Sequence, residues 1–294
     1  MPQPEQYSRV CLSDLSIKIK PQTQRGFCSL FPKEEWFMSN TAILSHEIRG
    51  NGPEKVIVIG GWLGDHGVFQ PVYPWLDGER FTYCFADPRG YGGSREITGK
   101  HTNAEVAGDV IALADSLGWD KFHFIGHSMM GKAAQFLAAH HAAHLKSVIG
   151  VTPVPACKIE LDEGGMQLFS TAWEVPANRG IICMVTTGNR NTKAWEQHMI
   201  RESLRTTDAQ AYREYFYMWT AEDFAADVQG CEVPFLAMTG EFDAGVPTDF
   251  VKATILNWFK NAELHVMSNA GHYPMQETPI QFVTVCEAFL ARHA

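Results

Sequence analysis

Phe124-Ile125-Gly126-His127-Ser128-Met129-Met130-Gly131 is the stretch on which the reading of this chain turns. An apolar run, Phe122, Phe124 and Ile125 with His123 between, leads straight into a serine. An alanine-rich helical pattern, Lys132 to Ala143, follows. The order is strand, sharp turn, helix. A serine at the apex of such a turn projects its hydroxyl out of the backbone, where a histidine can reach it. The pattern G-x-S-x-G wants glycine two residues after the serine. Here that position is Met130, and Gly131 comes one place late.

Two later segments complete the pattern. Phe235 to Met238 is an apolar run that leads through Gly240 to Asp243. Leu264 to Met267 is a strand-like run that leads through a turn to Gly271 and His272. The chain order Ser128, Asp243, His272 differs from the orders of chymotrypsin and subtilisin. On these three motifs the chain resembles the α/β-hydrolase superfamily, over about residues 41 to 294.

The remaining runs agree with a sheet buried on both faces. Val56 to Ile59, Phe81 to Ala86, Phe122 to Ile125, Ser147 to Val151, Phe235 to Met238 and Leu264 to Met267 are short, apolar and often β-branched. Helical patterns fall between them. One, Thr102 to Leu117, opens with Thr102 and Glu105 as a capping box. Strands alternating with helices predict a mostly parallel central sheet with helices on both faces. In such sheets ligands bind beyond the carboxyl ends of the strands, where Ser128, Asp243, His272 and the Gly60-Gly61 turn all fall.

Residues 156–228 interrupt the alternation. They hold helix-like, aromatic-rich segments, Trp195 to Leu204 and Gln210 to Trp219. The resemblance implies a helical lid inserted after the sixth strand. The expected organisation is therefore a core of residues 38–155 and 229–294, the lid at 156–228, and an N-terminal extension at 1–37. The extension contains Ser16-Ile17-Lys18-Ile19-Lys20, which alternates like an edge strand.

Ser128 is the candidate nucleophile, His272 its base, and Asp243 the group that orients the imidazole. Ser128 could otherwise be a helix N-cap. Glu241, Glu160 and Asp162 are alternatives for the acid, and the family's spacing favours Asp243. The Met129 amide is one donor for the developing oxyanion. The loop Gly60-Gly61-Trp62-Leu63-Gly64 is similar to the family's His-Gly-x-x-x-Gly region with Gly60 in place of the histidine, so the resemblance makes the Trp62 amide the second donor. Candidates for the substrate pocket are Trp62, His127, Trp173, Trp195 and Trp219. Asp87-Pro88-Arg89-Gly90-Tyr91-Gly92-Gly93-Ser94 reads as a structural loop, with Arg89 bracing the acid region. Met130 is either an accommodated variant of the elbow or a sign of altered activity.

Composition bounds the partners. The chain has 294 residues, 45% hydrophobic and 19% charged, with a formal net charge of −9. No basic cluster suits a nucleic acid. No window approaches the roughly 18 apolar residues of a membrane span. The seven cysteines form no C-x-x-C pair, and the first residues lack the layout of a signal peptide. A cytoplasmic location with free thiols is expected. No cofactor or metal is expected: there is no H-E-x-x-H, P-loop or dinucleotide motif, and the spaced pair His140 and His144 lacks a third ligand. The predicted function is hydrolysis of a small carboxylic ester or lactone through an acyl-enzyme. The resemblance also admits carbon–carbon cleavage of a diketone ring-fission product, perhydrolase chemistry, or a non-catalytic ligand-binding homologue. Oligomeric state is not legible.

Overall fold

Each of the six apolar runs becomes a strand of one sheet. In the computed structural model, which describes residues 43–294, the strands are β1 His46–Arg49, β2 Glu54–Ile59, β3 Phe81–Ala86, β4 Phe122–His127, β5 Leu145–Val151, β6 Phe235–Gly240 and β7 Ala262–Met267. The sheet order is β1-β3-β2-β4-β5-β6-β7. Only β1 runs antiparallel to its neighbour. Every residue of β3, β4 and β6 is buried. Successive side chains of a strand point to opposite faces, so both faces of the sheet centre are covered. This is the doubly covered, mostly parallel sheet that the sequence predicts.

β1 was not expected. Its sequence, His-Glu-Ile-Arg, has no apolar alternation, and it is only half-buried. It closes one edge of the sheet with charged side chains, a common way to protect an edge. The N-terminal extension and its Ser16–Lys20 strand expectation lie outside the described residues.

The core helices are α1 Asn103–Ser116 and α2 Met129–His140. Thr102 caps α1 by accepting from the Glu105 amide. Glu105 does not return the bond to Thr102. Its carboxylate takes the amides of Lys100 and His101, one turn earlier in the loop. Arg89 likewise departs from expectation. It makes a two-pronged contact with Asp109 of α1, at 2.5 and 2.7 Å, and so pins the loop after β3 to α1 and not to the acid.

Between β5 and β6 the chain leaves the sheet and forms α3 Glu163–Ser170, α4 Pro176–Thr186, α5 Lys193–Thr206 and α6 Ala209–Ala221. These four helices fall inside residues 156–228. The strand before them is the fifth of the described sheet, one fewer than the resemblance implied. The chain then closes with α7 Thr248–Ala253, α8 Ile255–Trp258, α9 Pro274–Glu277 and α10 Pro279–Arg292. No helix among the described residues is long and apolar enough to cross a membrane. The cysteines described, Cys84, Cys157, Cys183, Cys231 and Cys286, are all free.

Lys132 of α2 fastens the inserted helices to the core. Its side chain is fully buried and its ammonium donates to three carbonyls: Cys157 at 2.9 Å, Trp219 at 3.1 Å and Glu222 at 2.5 Å. Cys157 leads into the insertion and the other two lie at the end of α6. One buried cation thus supplies donors to both ends of the excursion, including the carbonyls that a helix C-terminus leaves unpaired. Burial pushes its amine down to about 8.

Candidate active site

The turn after β4 places Ser128 at φ 56° and ψ −113°. A non-glycine residue rarely adopts this backbone, and it persists only where the surroundings hold it. They do: the Ser128 amide donates to Val151 at 2.9 Å, and its carbonyl accepts from Gly131 and Val154 at 2.9 and 3.1 Å. The side chain makes no capping bond to α2. Instead Ser128 Oγ lies 2.9 Å from His272 Nε2. Its hydroxyl donates to the imidazole, and the N-cap alternative is set aside.

His272 Nδ1 lies 2.7 Å from Asp243 Oδ2. The second Asp243 oxygen accepts from the amides of Gly245 and Val246 at 2.8 and 3.0 Å. The rival acids point elsewhere. Glu241 accepts from the Asn269 amide, Asp162 caps α3 through the Gly165 amide, and Glu160 is exposed. Ser128, His272 and Asp243 therefore form one continuous hydrogen-bonded chain across the carboxyl edge of the sheet.

The elbow tolerates Met130 because the close approach is made one residue later. A Cβ on Gly131 would sit 2.5 Å from Pro153 Cβ, where the chain leaves β5. A Cβ on Gly126 would meet the Met130 carbonyl at 2.2 Å. Met130 itself is fully buried in the core. Small residues are thus needed at 126 and 131, and position 130 has room for a methionine.

The turn after β2 crosses directly over the serine. A Cβ on Gly61 would fall 3.0 Å from Ser128 Cβ and 2.7 Å from His127 Nδ1. Trp62 follows. Its carbonyl accepts from the buried Tyr91 hydroxyl at 2.8 Å, and its indole N–H donates to Tyr212 of α6 at 2.7 Å. Tyr91 belongs to the Asp87–Ser94 loop, which therefore braces the Trp62 turn where no histidine is present to do so. Met129 is the first residue of α2, and its amide has no intrahelical acceptor.

His272 is held by groups that the sequence did not advertise. The His272 amide donates to the Thr186 carbonyl at the end of α4, at 3.1 Å. A Cβ on Gly271 would collide with Thr187 Cα at 2.5 Å, so glycine is what lets α4 come this close. Glu277 accepts the amides of Gly271 and Tyr273. Arg190, just past α4, pairs with Glu277 at 3.2 Å, bonds Asn269, and lies over the Phe242 ring at 4.2 Å. It ties the His272 loop and the Asp243 loop together.

A cavity of about 1000 Å³, counted to its open mouth, reaches Ser128 and His272. Leu63, Val154, Ile159, Leu168, Ile182 and Phe250 are among its walls. Of the tryptophans and the histidine named from the sequence, Trp62 and Trp219 line it. His127, Trp173 and Trp195 do not. His127 is 1% exposed and points away from the cavity's lining. Its Nε2 lies 2.8 Å from the His272 carbonyl, which can only accept, so Nε2 carries the proton. Burial, and then the nearby His272 ring, pushes His127 down to about 3. Trp173 is half-buried and lies under the Arg213 guanidinium, 5.4 Å from it. Trp195 spends its indole N–H on Gln276 at 2.7 Å and packs edge-on to Tyr273.

Asp65, His66 and Asp87 are the grouping of potential metal ligands found among the described residues, with donor atoms within 4.8 Å of one another. None of them lines the cavity. His66 already bonds Asp87 at 2.7 Å, and Asp65 holds the Gly67 amide. His140 ends α2 and pairs with Asp227 at 3.3 Å. His144 lies in a separate 3₁₀ turn, so the two histidines do not share a helix face.

Comparison with known proteins agrees with this architecture. A family model described as alpha/beta hydrolase fold matches residues 55–181. The chain is 26% identical over 276 residues to a protein of Caulobacter sp. (strain K31) that carries the provisional name carbamate hydrolase RutD, covering 85% of this chain and 97% of that one. It is also 26% identical to 3-oxoadipate enol-lactonase 1 of Acinetobacter baylyi, over 82% of this chain and 91% of the relative. The crystal structure of bromoperoxidase from Bacillus anthracis superposes with a TM-score of 0.76 at 18% identity, covering 84% of this chain and 94% of that one. The chain has the α/β-hydrolase fold, and residues 55–181 match the family model of that fold.

Proposed function

We propose that this protein is a serine hydrolase that cleaves a carboxylic ester or lactone through an acyl-enzyme. The observation that carries the reading is the unbroken chain Ser128 Oγ, His272 Nε2, His272 Nδ1, Asp243 Oδ2, with links of 2.9 and 2.7 Å. It opens onto an apolar cavity. The enol-lactonase relative, which matches most of this chain, adds weight to the ester or lactone bond.

In this reading Ser128 Oγ attacks the substrate carbonyl as its proton passes to His272 Nε2. Asp243 holds the imidazole in the tautomer that leaves Nε2 free to accept, and stabilises the imidazolium that forms. The amides of Met129 and Trp62 receive the negative charge on the carbonyl oxygen, each worth roughly 2.7–4 kcal/mol in reactions of this kind. His272 returns the proton to the departing alkoxide. Water then enters, gives its proton to His272, and releases the acid and free Ser128. The inserted helices form a lid over this chemistry. The substrate is a small molecule, and no cofactor takes part in the scheme.

A panel of p-nitrophenyl esters, lactones and a diketone ring-fission analogue tests the bond. Turnover of esters or lactones is expected. Turnover of the diketone alone would replace the ester reading with carbon–carbon cleavage, and formation of peracid faster than acid with added peroxide would replace it with acyl transfer to peroxide.

A further inference from the structure

The charges around the cavity narrow the substrate further. Among the described residues no lysine or arginine lines it. The polar side chains in its wall are nearly all spoken for. The Thr186 hydroxyl donates to the Ile182 carbonyl within α4, at 2.8 Å. The Trp62 indole N–H is held by Tyr212. Of the buried side-chain donors in the lining, Trp219 Nε1 alone lacks a partner among the described residues. It is a neutral N–H, which can take one acceptor oxygen but cannot neutralise a carboxylate.

The one carboxylate in the lining outside the Ser128–His272–Asp243 chain is Asp162. It is half-buried, at the N-cap of α3. One of its oxygens accepts from the Gly165 amide at 2.7 Å, which fixes the carboxylate in place. Its neighbours Glu160 and Glu163 are exposed, and the whole chain carries a formal charge of −9. An anionic substrate would therefore lose its hydration, meet no countercharge, and share the cavity with a negative group. Burying an unpaired carboxylate costs several kcal/mol. An apolar tail would instead be stabilised by about 25 cal/mol for each Å² removed from water.

We propose that the acyl group this cavity accepts is uncharged and apolar, and that Asp162 at the start of α3 is the residue that turns away substrates ending in a carboxylate. The inference rests on the ester and lactone reading for its chemistry, but the preference of the cavity can be measured apart from any reaction.

The experiment pairs two p-nitrophenyl esters of equal length, the hexanoyl ester and the adipoyl half-ester, which differ by a terminal methyl against a terminal carboxylate. kcat/KM is measured on the wild-type protein, and Kd for the same pair on Ser128→Ala, followed by the fluorescence of Trp62 and Trp219. The hexanoyl ester is expected to lead by about 100-fold or more in both readouts. Asp162→Asn keeps a side-chain oxygen for the cap and should narrow the gap severalfold at low salt, with less effect at 1 M salt, where the screening length is about 3 Å. An adipoyl ester bound or turned over within threefold of the hexanoyl ester would overturn the proposal. A gap unchanged in Asp162→Asn would remove Asp162 from it. If neither ester is turned over but Ser128→Ala still favours the hexanoyl ester, the hydrolase reading falls and the charge preference stands.

Discussion

Ser128, Asp243 and His272 each stand within a few residues of the end of a parallel strand, β4, β6 and the half-buried edge strand β7. Leu168, Ile182 and Trp219, which face them across the cavity, stand on helices of the excursion between β5 and β6. In the first group, Ser128 and Asp243 are held by backbone bonds to strand ends, at Val151 and Gly240, and His272 by the Thr186 carbonyl at the end of α4. The second is held unevenly. α6 is bound to the core through Lys132, through Trp62, and through His101, which meets Glu214 at 2.5 Å. Seven of its residues are buried. α3 buries only Gly165 and carries the pair Gly164-Gly165, which weakens a helix by up to about 1 kcal/mol per glycine. The floor of the cavity is therefore tied to the strand ends and α6 is tied to that floor, whereas α3 meets them through the packing of Phe169 on Trp62 and Trp219. Substrate is expected to enter past α3, the less buried side of the roof.

The sharpest way to separate floor from roof is Ser128→Ala. On the floor, loss of the nucleophile should lower turnover on the order of 10⁶-fold, because residues that act as a unit fail together. The melting temperature should stay within a few degrees of wild type. Retention of a few per cent of the activity, once contamination is excluded, would contradict the assignment.

Met130→Gly asks whether the floor is strained by its methionine. The side chain is fully buried and the elbow is already formed, so the change should act on stability. A cavity of this kind costs about 2–5 kcal/mol, readable by urea unfolding, with kcat unchanged or lower. A rise in kcat of tenfold or more would mean that Met130 holds the Met129 amide away from its working position.

His127 supplies a pH signature for the floor. Its folded pKa, about 3, lies below the ordinary histidine value of about 6.5. Below about pH 6.5 the unfolded chain takes up a proton that the folded protein refuses. The stabilisation is thus complete above that pH and is lost as pH falls from about 6.5 toward 3, by up to roughly 1.4 kcal/mol per pH unit. His127→Gln should lose that slope between pH 6 and 4 in unfolding experiments. Equal slopes for variant and wild type would show that the ring is not kept neutral.

The smallest effect is expected on the roof. A Cβ on Gly164 meets only Asp162 Oδ1, at 3.8 Å. Gly164→Ala should stabilise α3 by about 0.5–1 kcal/mol, visible as slower amide exchange in residues 163–170 and not in α6. If α3 and α6 exchange alike in the wild-type protein, the contrast between the two sides of the roof is wrong.

The same contrast governs what could be read from sequence. The floor was legible because each part is written locally: an apolar run, a turn, then the reactive residue. The order of three such segments left little freedom. Met130 looked like a fault only because spacing cannot show that Gly131 makes the contact with Pro153. The roof was half legible. α5 and α6 carry periodic aromatic and aliphatic residues, but α3 and α4 were missed, since Gly164-Gly165 and Asn178-Arg179-Gly180 carry no helical signal. His127 was misplaced as a pocket residue because adjacency to the serine says nothing about which way its ring turns. Arg190, Thr186 and Glu277 hold His272 and its loop through contacts between distant segments, and no local pattern announces those. β1 escaped notice because an edge strand of charged residues has no apolar period.

Activation of Ser128 by His272 is the central proposal, and a fluorophosphonate probe tests it most directly. Incubation followed by peptide mass mapping should place one adduct on Ser128 in the wild-type protein, with labelling slowed by orders of magnitude in His272→Ala and absent in Ser128→Ala. No adduct on the folded wild-type protein, or an adduct on a different residue, would contradict the account.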